Sequence, residues 1–321
     1  MRRLSLVLLL IVSGLANSFA QTPVELFTTT SRFAPEYSKV VSRYQPLALN
    51  TANLSSLFQQ APATWTMRVP FEGQYMDVQL EKAKVTTDNF SVIEVLPDGS
   101  RRTVAYNGGV FYRGYINGDR KTFAAVSIFE NQVMGILADA QSNLVLGAIE
   151  QNGFGTNDYM LYRDHDLAVP NPTNCFTTEE LASGDTPREH TEVVASPNAV
   201  GEPVEIYVEC DYKLYLDKGS NVNNVMNYLL GFFNGVEQLY ANENLKVQVS
   251  QVLVWTMEDP EASFTTAGTT LEPFGQRMSG TNYVGDYAAY ISTRPIGGGV
   301  AYINSNACTA TKAFRSSVSG I

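Results

Sequence analysis

Short runs of alternating apolar and polar residues fill the chain from about residue 62 to residue 163. They are rich in β-branched and aromatic residues, and turn sequences such as Pro97-Asp98-Gly99 separate them. A period of two places successive side chains on opposite faces of a strand, whereas a helix repeats every 3.6 residues. Closely spaced strands with no helical pattern between them predict a β-rich antiparallel domain over residues 62–165.

The pattern changes in the second half of the chain. Apolar residues recur from Asn221 to about Glu243 at the spacing of a long amphipathic helix, and a weaker helical pattern covers residues 266–279. Alternating apolar segments surround these two helices. The predicted strands are 204–210, 245–255, 283–292 and 297–304. This order of strands and helices predicts an α/β domain with a mixed sheet over residues 203–321.

Between these regions, residues 166–202 are rich in proline and acidic residues and have little apolar periodicity. Such a composition is typical of an exposed linker, where proteolytic cleavage concentrates. We expect this linker to be accessible to proteases.

The N-terminus has the pattern of an export signal. Two arginines precede the apolar run Leu6–Val12, and small residues precede a predicted cleavage after Ala20. The run is far shorter than the roughly 20 residues that a membrane-spanning helix needs. We therefore predict a signal peptide over residues 1–20, a secreted protein and no transmembrane segment.

Composition and charge exclude several classes of function. The formal net charge is −10 and there is no basic stripe, which argues against nucleic acid as a partner. The motifs GxSxG, GxxxxGK[ST] and GxGxxG are absent. The two histidines, His165 and His190, do not form HExxH, so the sequence predicts no zinc site within this chain.

Several motifs in the second half follow one another in a recognisable order. They are Glu205 to Asp211, Tyr228 to Asn234, Trp255 to Pro260, and the stretch GDYAAYISTRPIGGGVAYINSNAC at 285–308. This order resembles the catalytic domain of metzincin zinc proteases of the reprolysin (adamalysin) type. Upstream, VFYRGYINGDRKTFAAVSIFENQVMGIL resembles the propeptide of the same proteases. The likeness covers roughly residues 100–320.

The resemblance implies a zymogen. Residues 21–61 are then an N-terminal pro-segment, 62–165 a propeptide domain, 166–202 the linker with the activation site, and 203–321 the N-terminal half of a peptidase domain. In this family HExxHxxGxxH follows the region that is resembled here, and the sequence lacks that motif. The resemblance therefore implies zinc ligands beyond Ile321, a truncated catalytic domain and an inactive chain.

The glycine-led stretch near residue 300 corresponds in this family to the antiparallel edge strand of the substrate cleft. An edge strand presents unpaired N–H and C=O groups, to which an extended peptide can add as a further strand. The substrate-binding residues implied by the resemblance are Gly298, Gly299, Val300, Ala301 and Tyr302. Without the resemblance, the same stretch is interpreted as an ordinary loop and edge strand.

Three cysteines are an odd number for an exported protein. The resemblance implies that Cys175 is a cysteine switch on the zinc, although Phe176 stands where the family commonly has glycine; a disulfide partner and an idle thiol are the alternatives. Cys308 is expected to pair with a cysteine beyond Ile321 or with Cys210. Cys210 is otherwise expected to be a buried thiol in its strand.

Two carboxylates, Glu205 and Asp286, match positions that bind calcium in reprolysin-type domains. Surface carboxylates without a metal are the alternative. Asp211 and Asp217 do not fit an EF-hand loop, and we predict that both are surface charges.

The resulting prediction is the precursor of a secreted zinc-dependent metalloendopeptidase that hydrolyses peptide bonds in proteins. Its partners are protein or peptide substrates and a protease that activates it at the 166–202 linker. One alternative is a non-catalytic secreted protein that binds peptides or glycans. Another is a propeptide-like inhibitor that uses the β-rich domain to occlude a partner protease.

Overall fold

The computed structural model describes residues 22–32, 37–151, 154–168, 202–302 and 312–321. Within these ranges the chain forms a ten-stranded sheet and a seven-stranded sheet. The expectation of β-rich, mixed sheets with few helices is confirmed. The predicted signal peptide, most of the predicted linker, Cys175 and Cys308 lie outside the described residues.

The strands and helices have the following bounds. The strands of the ten-stranded sheet are β1 (Val24–Glu25), β2 (Phe27–Thr29), β3 (Gln45–Leu49), β4 (Thr64–Phe71), β5 (Gln74–Ala83), β8 (Val110–Ile116), β9 (Asp119–Ile128), β10 (Val133–Ala138), β11 (Asn143–Gln151) and β12 (Phe154–Arg163). Those of the seven-stranded sheet are β6 (Thr86–Val95), β7 (Arg101–Val104), β13 (Val204–Cys210), β14 (Val247–Trp255), β15 (Tyr287–Ser292), β16 (Gly299–Ala301) and β17 (Ser316–Gly320). The α-helices of the described residues are α1 (Thr51–Gln60), α2 (Tyr212–Asp217), α3 (Val222–Asn242) and α4 (Ala267–Ser279).

The ten-stranded sheet has the order β1-β4-β5-β8-β9-β10-β11-β12-β3-β2. Adjacent strands in this sheet are antiparallel, except that β1 and β4 are parallel. Strands β1 and β2 lie at opposite edges of this sheet but are adjacent in the chain. Residues 24–29 therefore connect the two edges. Leu26, Phe27 and the helix residues Leu54 and Leu57 enter the same hydrophobic core as the later strands. The predicted pro-segment therefore shares one sheet and one core with the β-rich region.

The seven-stranded sheet has the order β16-β17-β15-β13-β14-β6-β7. The five central strands are parallel, and the edge strands β16 and β7 are antiparallel to their neighbours. The hairpin β6–β7 comes from the N-terminal region, which the sequence pattern predicted to be wholly antiparallel. That prediction is wrong for β6, which pairs with β14 in parallel. Both faces of β6 are covered by the second region, since Val92 and Val95 enter different hydrophobic clusters.

Helix α3 lies between the two sheets. The predicted helix is confirmed, and the Asn221 side chain caps it by accepting hydrogen bonds from the N–H groups of Asn223 and Asn224. One face packs on β14 and the other on β8, β9 and β10. A Cβ atom at Gly231 would lie 2.6 Å from the sulfur of Met134. Glycine at this position therefore lets the helix approach the first sheet closely.

Candidate functional site

The edge strand β16 bounds the seven-stranded sheet. It pairs with β17 on one side, and no other described strand pairs with its second side. The N–H of Gly320 donates to the C=O of Gly298 at 2.8 Å, and antiparallel pairing alternates its hydrogen-bonded positions. The N–H and C=O groups of Val300 therefore point towards β17, whereas those of Gly299 and Ala301 point away from it.

Two glycines turn the chain into this edge strand. Gly297 and Gly298 have φ values of 80° and 84°, a left-handed conformation that side chains with a Cβ rarely adopt. Beyond the strand, the ring of Tyr302 contacts that of Phe314 at a centroid distance of 5.0 Å. All five predicted substrate-binding residues thus lie in one continuous segment at the sheet edge, and their role in binding stays a prediction.

Arg294 anchors the start of the segment that leads into β16. Its Nε donates to the Asp211 carboxylate at 3.0 Å, and one Nη donates to the Tyr290 hydroxyl at 2.8 Å. Its other Nη donates to the backbone carbonyls of Ala262 and Phe264. Asp211 is fully buried, so its prediction as a surface charge is wrong. Burial raises the pKa of Asp211, and its hydrogen bonds from Ser292, the Leu214 N–H and Arg294 counteract that rise.

A second buried cluster surrounds Arg277 of α4. Its guanidinium binds Glu209 with two nitrogens at 2.8 and 3.1 Å, and it binds Glu261 at 2.7 and 2.8 Å. Glu209 also accepts hydrogen bonds from the Tyr207 hydroxyl and the Trp255 indole. Burial raises the pKa of Glu261, and Arg277 opposes that rise.

Asp259 joins the two clusters. It accepts hydrogen bonds from the Tyr290 hydroxyl at 2.7 Å and from the N–H groups of Tyr212 and Glu261. The joined network, which we call the strand-end network, contains the carboxylates of Glu209, Asp211, Asp259 and Glu261 and the guanidiniums of Arg277 and Arg294. It lies beside the carboxyl ends of β13, β14 and β15 and fixes the connections that follow these strands.

The local sequence pattern did not predict the strand-end network. A signal was available, because Glu209 and Asp211 stand at the end of one apolar strand and Asp259 shortly after another. The carboxyl ends of parallel strands meet at one edge of a sheet. Assigning partners required knowing that Arg277 and Arg294 reach the same edge from α4 and from the segment after β15.

The two calcium candidates do lie together. The N–H of Glu205 donates to the Asp286 carboxylate at 3.0 Å, and the N–H of Asp286 donates to the C=O of Glu205 at 2.7 Å. One Asp286 oxygen is thus engaged by backbone. Calcium binding at this pair stays a prediction.

Cys210 is a free and fully buried thiol in the core beneath α3. Burial raises its pKa well above the ordinary value, so it is poorly reactive at neutral pH. This agrees with the buried-thiol alternative.

The residues that the structure describes do not fit a zinc site. No group of three or more His, Cys, Asp or Glu side chains is placed to hold a metal ion within the described ranges. The strand-end carboxylates instead pair with arginines and hydroxyl groups. In the same part of the chain, no helix has both the length and the apolar character needed to cross a membrane.

A buried polar contact connects α3 to the first sheet. The Asn234 amide donates to the C=O groups of Tyr112 and Val126 and to the Ser127 hydroxyl, and it accepts from Arg113 Nε at 3.1 Å. Arg113 also donates to Glu237 Oε2 at 2.5 Å. Burial raises the pKa of Glu237 to about 8, and Arg113 offsets only part of that effect.

We expect Glu237 to make stability depend on pH. Its folded-state pKa lies above the unfolded value of about 4.3, so the folded state holds the proton more tightly. The stabilisation that this raised pKa provides is fully present below the unfolded-state pKa and is lost as the pH rises towards 8. In urea unfolding, the free energy of unfolding of Glu237→Gln relative to wild type should therefore rise by on the order of 4 kcal/mol between pH 5 and pH 9. Parallel pH profiles of the two proteins would contradict this expectation.

The fold defines an α/β unit with a mixed sheet and an open edge strand, joined to a β-rich N-terminal region. Residues 203–316 match the family model of the reprolysin (M12B) family zinc metalloproteases. This match agrees with the resemblance to reprolysin-type metzincins that the motifs of this region predicted.

Two solved structures show a weaker likeness. The chain is similar to metalloproteinase-II from Bacteroides fragilis at 9% identity and a TM-score of 0.38, with 81% of this chain and 76% of that chain covered. It is also similar to part of a chaperone–substrate complex at 12% identity and a TM-score of 0.29, with 37% of this chain and 20% of that chain covered.

Proposed function

We propose that this chain is part of the precursor of a secreted zinc-dependent metalloendopeptidase. The match of residues 203–316 to reprolysin-type zinc metalloproteases carries the proposal. Residues 22–168 act as its propeptide, and residues 202–321 supply the substrate-binding edge of the peptidase domain. The zinc ligands of such a peptidase would come from the HExxHxxGxxH motif that the resemblance implies beyond Ile321.

The experiment that tests the proposal is to read the coding DNA past the codon for Ile321 and to express the whole frame. A continuation into HExxHxxGxxH should give one bound zinc per chain by elemental analysis and should cleave an unfolded protein. A stop codon directly after Ile321 would contradict peptidase activity. It would favour the alternative of a non-catalytic peptide-binding protein, in which the same edge strand captures an extended chain without cutting it.

Peptide capture at β16 can be measured on the present chain. Ala301→Pro removes an N–H that points away from β17 and leaves the ladder between β16 and β17 intact, a position where proline is tolerated in an edge strand. We expect this variant to bind a fluorescein-labelled, reduced and carboxymethylated protein at least about tenfold more weakly by fluorescence anisotropy, since main-chain hydrogen bonds provide the affinity of an added strand.

Ala301→Ser is the matched control, because it changes the same exposed side chain and keeps the N–H. It should bind as wild type does. Equal binding by Ala301→Pro and Ala301→Ser would exclude β16 as the peptide-binding edge.

A further inference from the structure

We infer that residues 22–168 and residues 202–321 remain bound to each other as a two-fragment complex after the chain is cut between them. The hairpin β6–β7 is the strand donor that completes the second sheet. This inference is independent of the proposed peptidase activity, because it concerns only how the two regions hold each other.

The first support is continuous strand pairing. Strand β6 is parallel to β14 from the pair Ser91 and Gln251 to the pair Val95 and Trp255. The Gln251 amide also donates to the Ser91 hydroxyl at 3.0 Å, and the Thr256 hydroxyl donates to the C=O of Val95 at 2.6 Å. Removal of the hairpin would leave the backbone groups of β14 without partners along a buried strand, which is costly.

The second support is a shared hydrophobic core. Val85, Val92, Phe111 and Phe129 of the first region belong to the same buried cluster as the inner residues of α3, β13 and β14. All four are at most 7% exposed. A contact of this kind resembles an obligate interface, which has the character of a domain core, rather than a transient one.

The third support is a set of polar contacts that need both regions. Asn234 and Glu237 of α3 bind Arg113 of β8. Towards the other end of the helix, the Tyr106 hydroxyl donates to Asn227 at 2.8 Å, and Lys218, which precedes α3, binds Glu150 at 3.0 Å through Nζ. These contacts lie along the length of α3, so the helix is held at both ends.

Cleavage of the connecting segment would not by itself release residues 202–321. Cutting the connecting segment removes the covalent link but none of these contacts. Release of residues 202–321 then requires a second event that unfolds or degrades the N-terminal region. Until that event, the outer edge of β14 stays covered by the chain's own strand.

The test uses the full chain with a recognition sequence for a sequence-specific protease in place of residues 180–186. After complete cutting, we expect both fragments in equal amounts in one size-exclusion peak at the elution volume of the uncut chain. Hydrogen exchange of the β14 amides should be unchanged by the cut. Separate elution of the fragments, or loss of protection in β14, would overturn the inference.

A pair of glycine variants tests which contacts hold the complex. A Cβ atom at Gly231 lies against Met134 of the first sheet, whereas a Cβ atom at Gly268 in α4 lies 4.0 Å from the Thr266 hydroxyl, so Gly268→Val is the matched control for Gly231→Val. After cutting, Gly231→Val should dissociate at least tenfold faster than Gly268→Val. Equal dissociation rates would overturn the role of α3. If uncut Gly231→Val fails to fold, the exchange measurement on the cut wild-type chain decides the question.

Discussion

Replacing Arg277 with methionine is expected to lower the free energy of unfolding by about 3–5 kcal/mol at neutral pH. The guanidinium is the ion-pair partner of both Glu209 and Glu261, which are 0% and 1% exposed. Without it, two carboxylates remain in a region of low dielectric with no positive neighbour at hydrogen-bond distance. Urea unfolding followed by circular dichroism measures the change.

The pH dependence of this loss distinguishes lost charge pairing from lost packing. Burial already raises the pKa of Glu261 and Arg277 opposes that rise, so its pKa should lie further above the unfolded value in the variant. Carboxylates with raised folded-state pKa values favour the folded state at low pH and disfavour it as pH rises. The destabilisation should therefore be smaller at pH 4.5 than at pH 7.5.

A surface arginine provides the control. Arg32 pairs with Asp158, but its side chain is 78% exposed. Arg32→Met should therefore cost less than about 1 kcal/mol. A loss below that value for Arg277→Met as well would mean that the strand-end network does not stabilise the fold.

Replacing Asn234 with leucine is expected to lower the free energy of unfolding by about 2–3 kcal/mol. Leucine has a similar size, so the change tests hydrogen bonds more than cavity formation. The buried acceptors on Tyr112, Val126 and Ser127 would lose the amide donors, and Arg113 Nε would lose its acceptor. The measurement is urea unfolding at one pH.

Gln238→Ala is the control for Asn234, because Gln238 lies on the same helix, is only partly buried, and donates a hydrogen bond to Asn242 of that helix. It should change stability by less than about 0.5 kcal/mol. Similar effects of the two substitutions would show that the contact between α3 and the first sheet contributes little.

These two sites have different consequences for the proposed function. The strand-end network fixes the loops around the edge strand, since Arg294 holds the segment before Gly297 and Asp211 caps α2. Asn234 instead belongs to the contact between the two regions. Substitutions in the strand-end network should weaken peptide binding at β16. Substitutions of Asn234 should instead weaken the contact between α3 and the N-terminal region.

The sequence by itself determined the local elements of this protein. Period-two alternation predicted the strands of the β-rich region, and the 3.6-residue period located α3 to within one residue of its ends. The motifs from Glu205 onwards identified the reprolysin-type region, which the family model matches. These signals are local or have a fixed order along the chain, and therefore a single sequence contains them.

Only the tertiary structure decided which elements pair and which charges are buried. Strand β6 has the same kind of residue pattern as the strands next to it in sequence, yet it pairs with β14, about 160 residues later. Asp211 looked like a surface charge, because burial depends on Ser292 and Arg294, which are more than 80 residues away. Period-two alternation shows which residues share a face of a strand, but it does not show which strand pairs with it. Likewise, the type of a charged residue does not show which residue it pairs with. Those choices depend on how the whole chain packs.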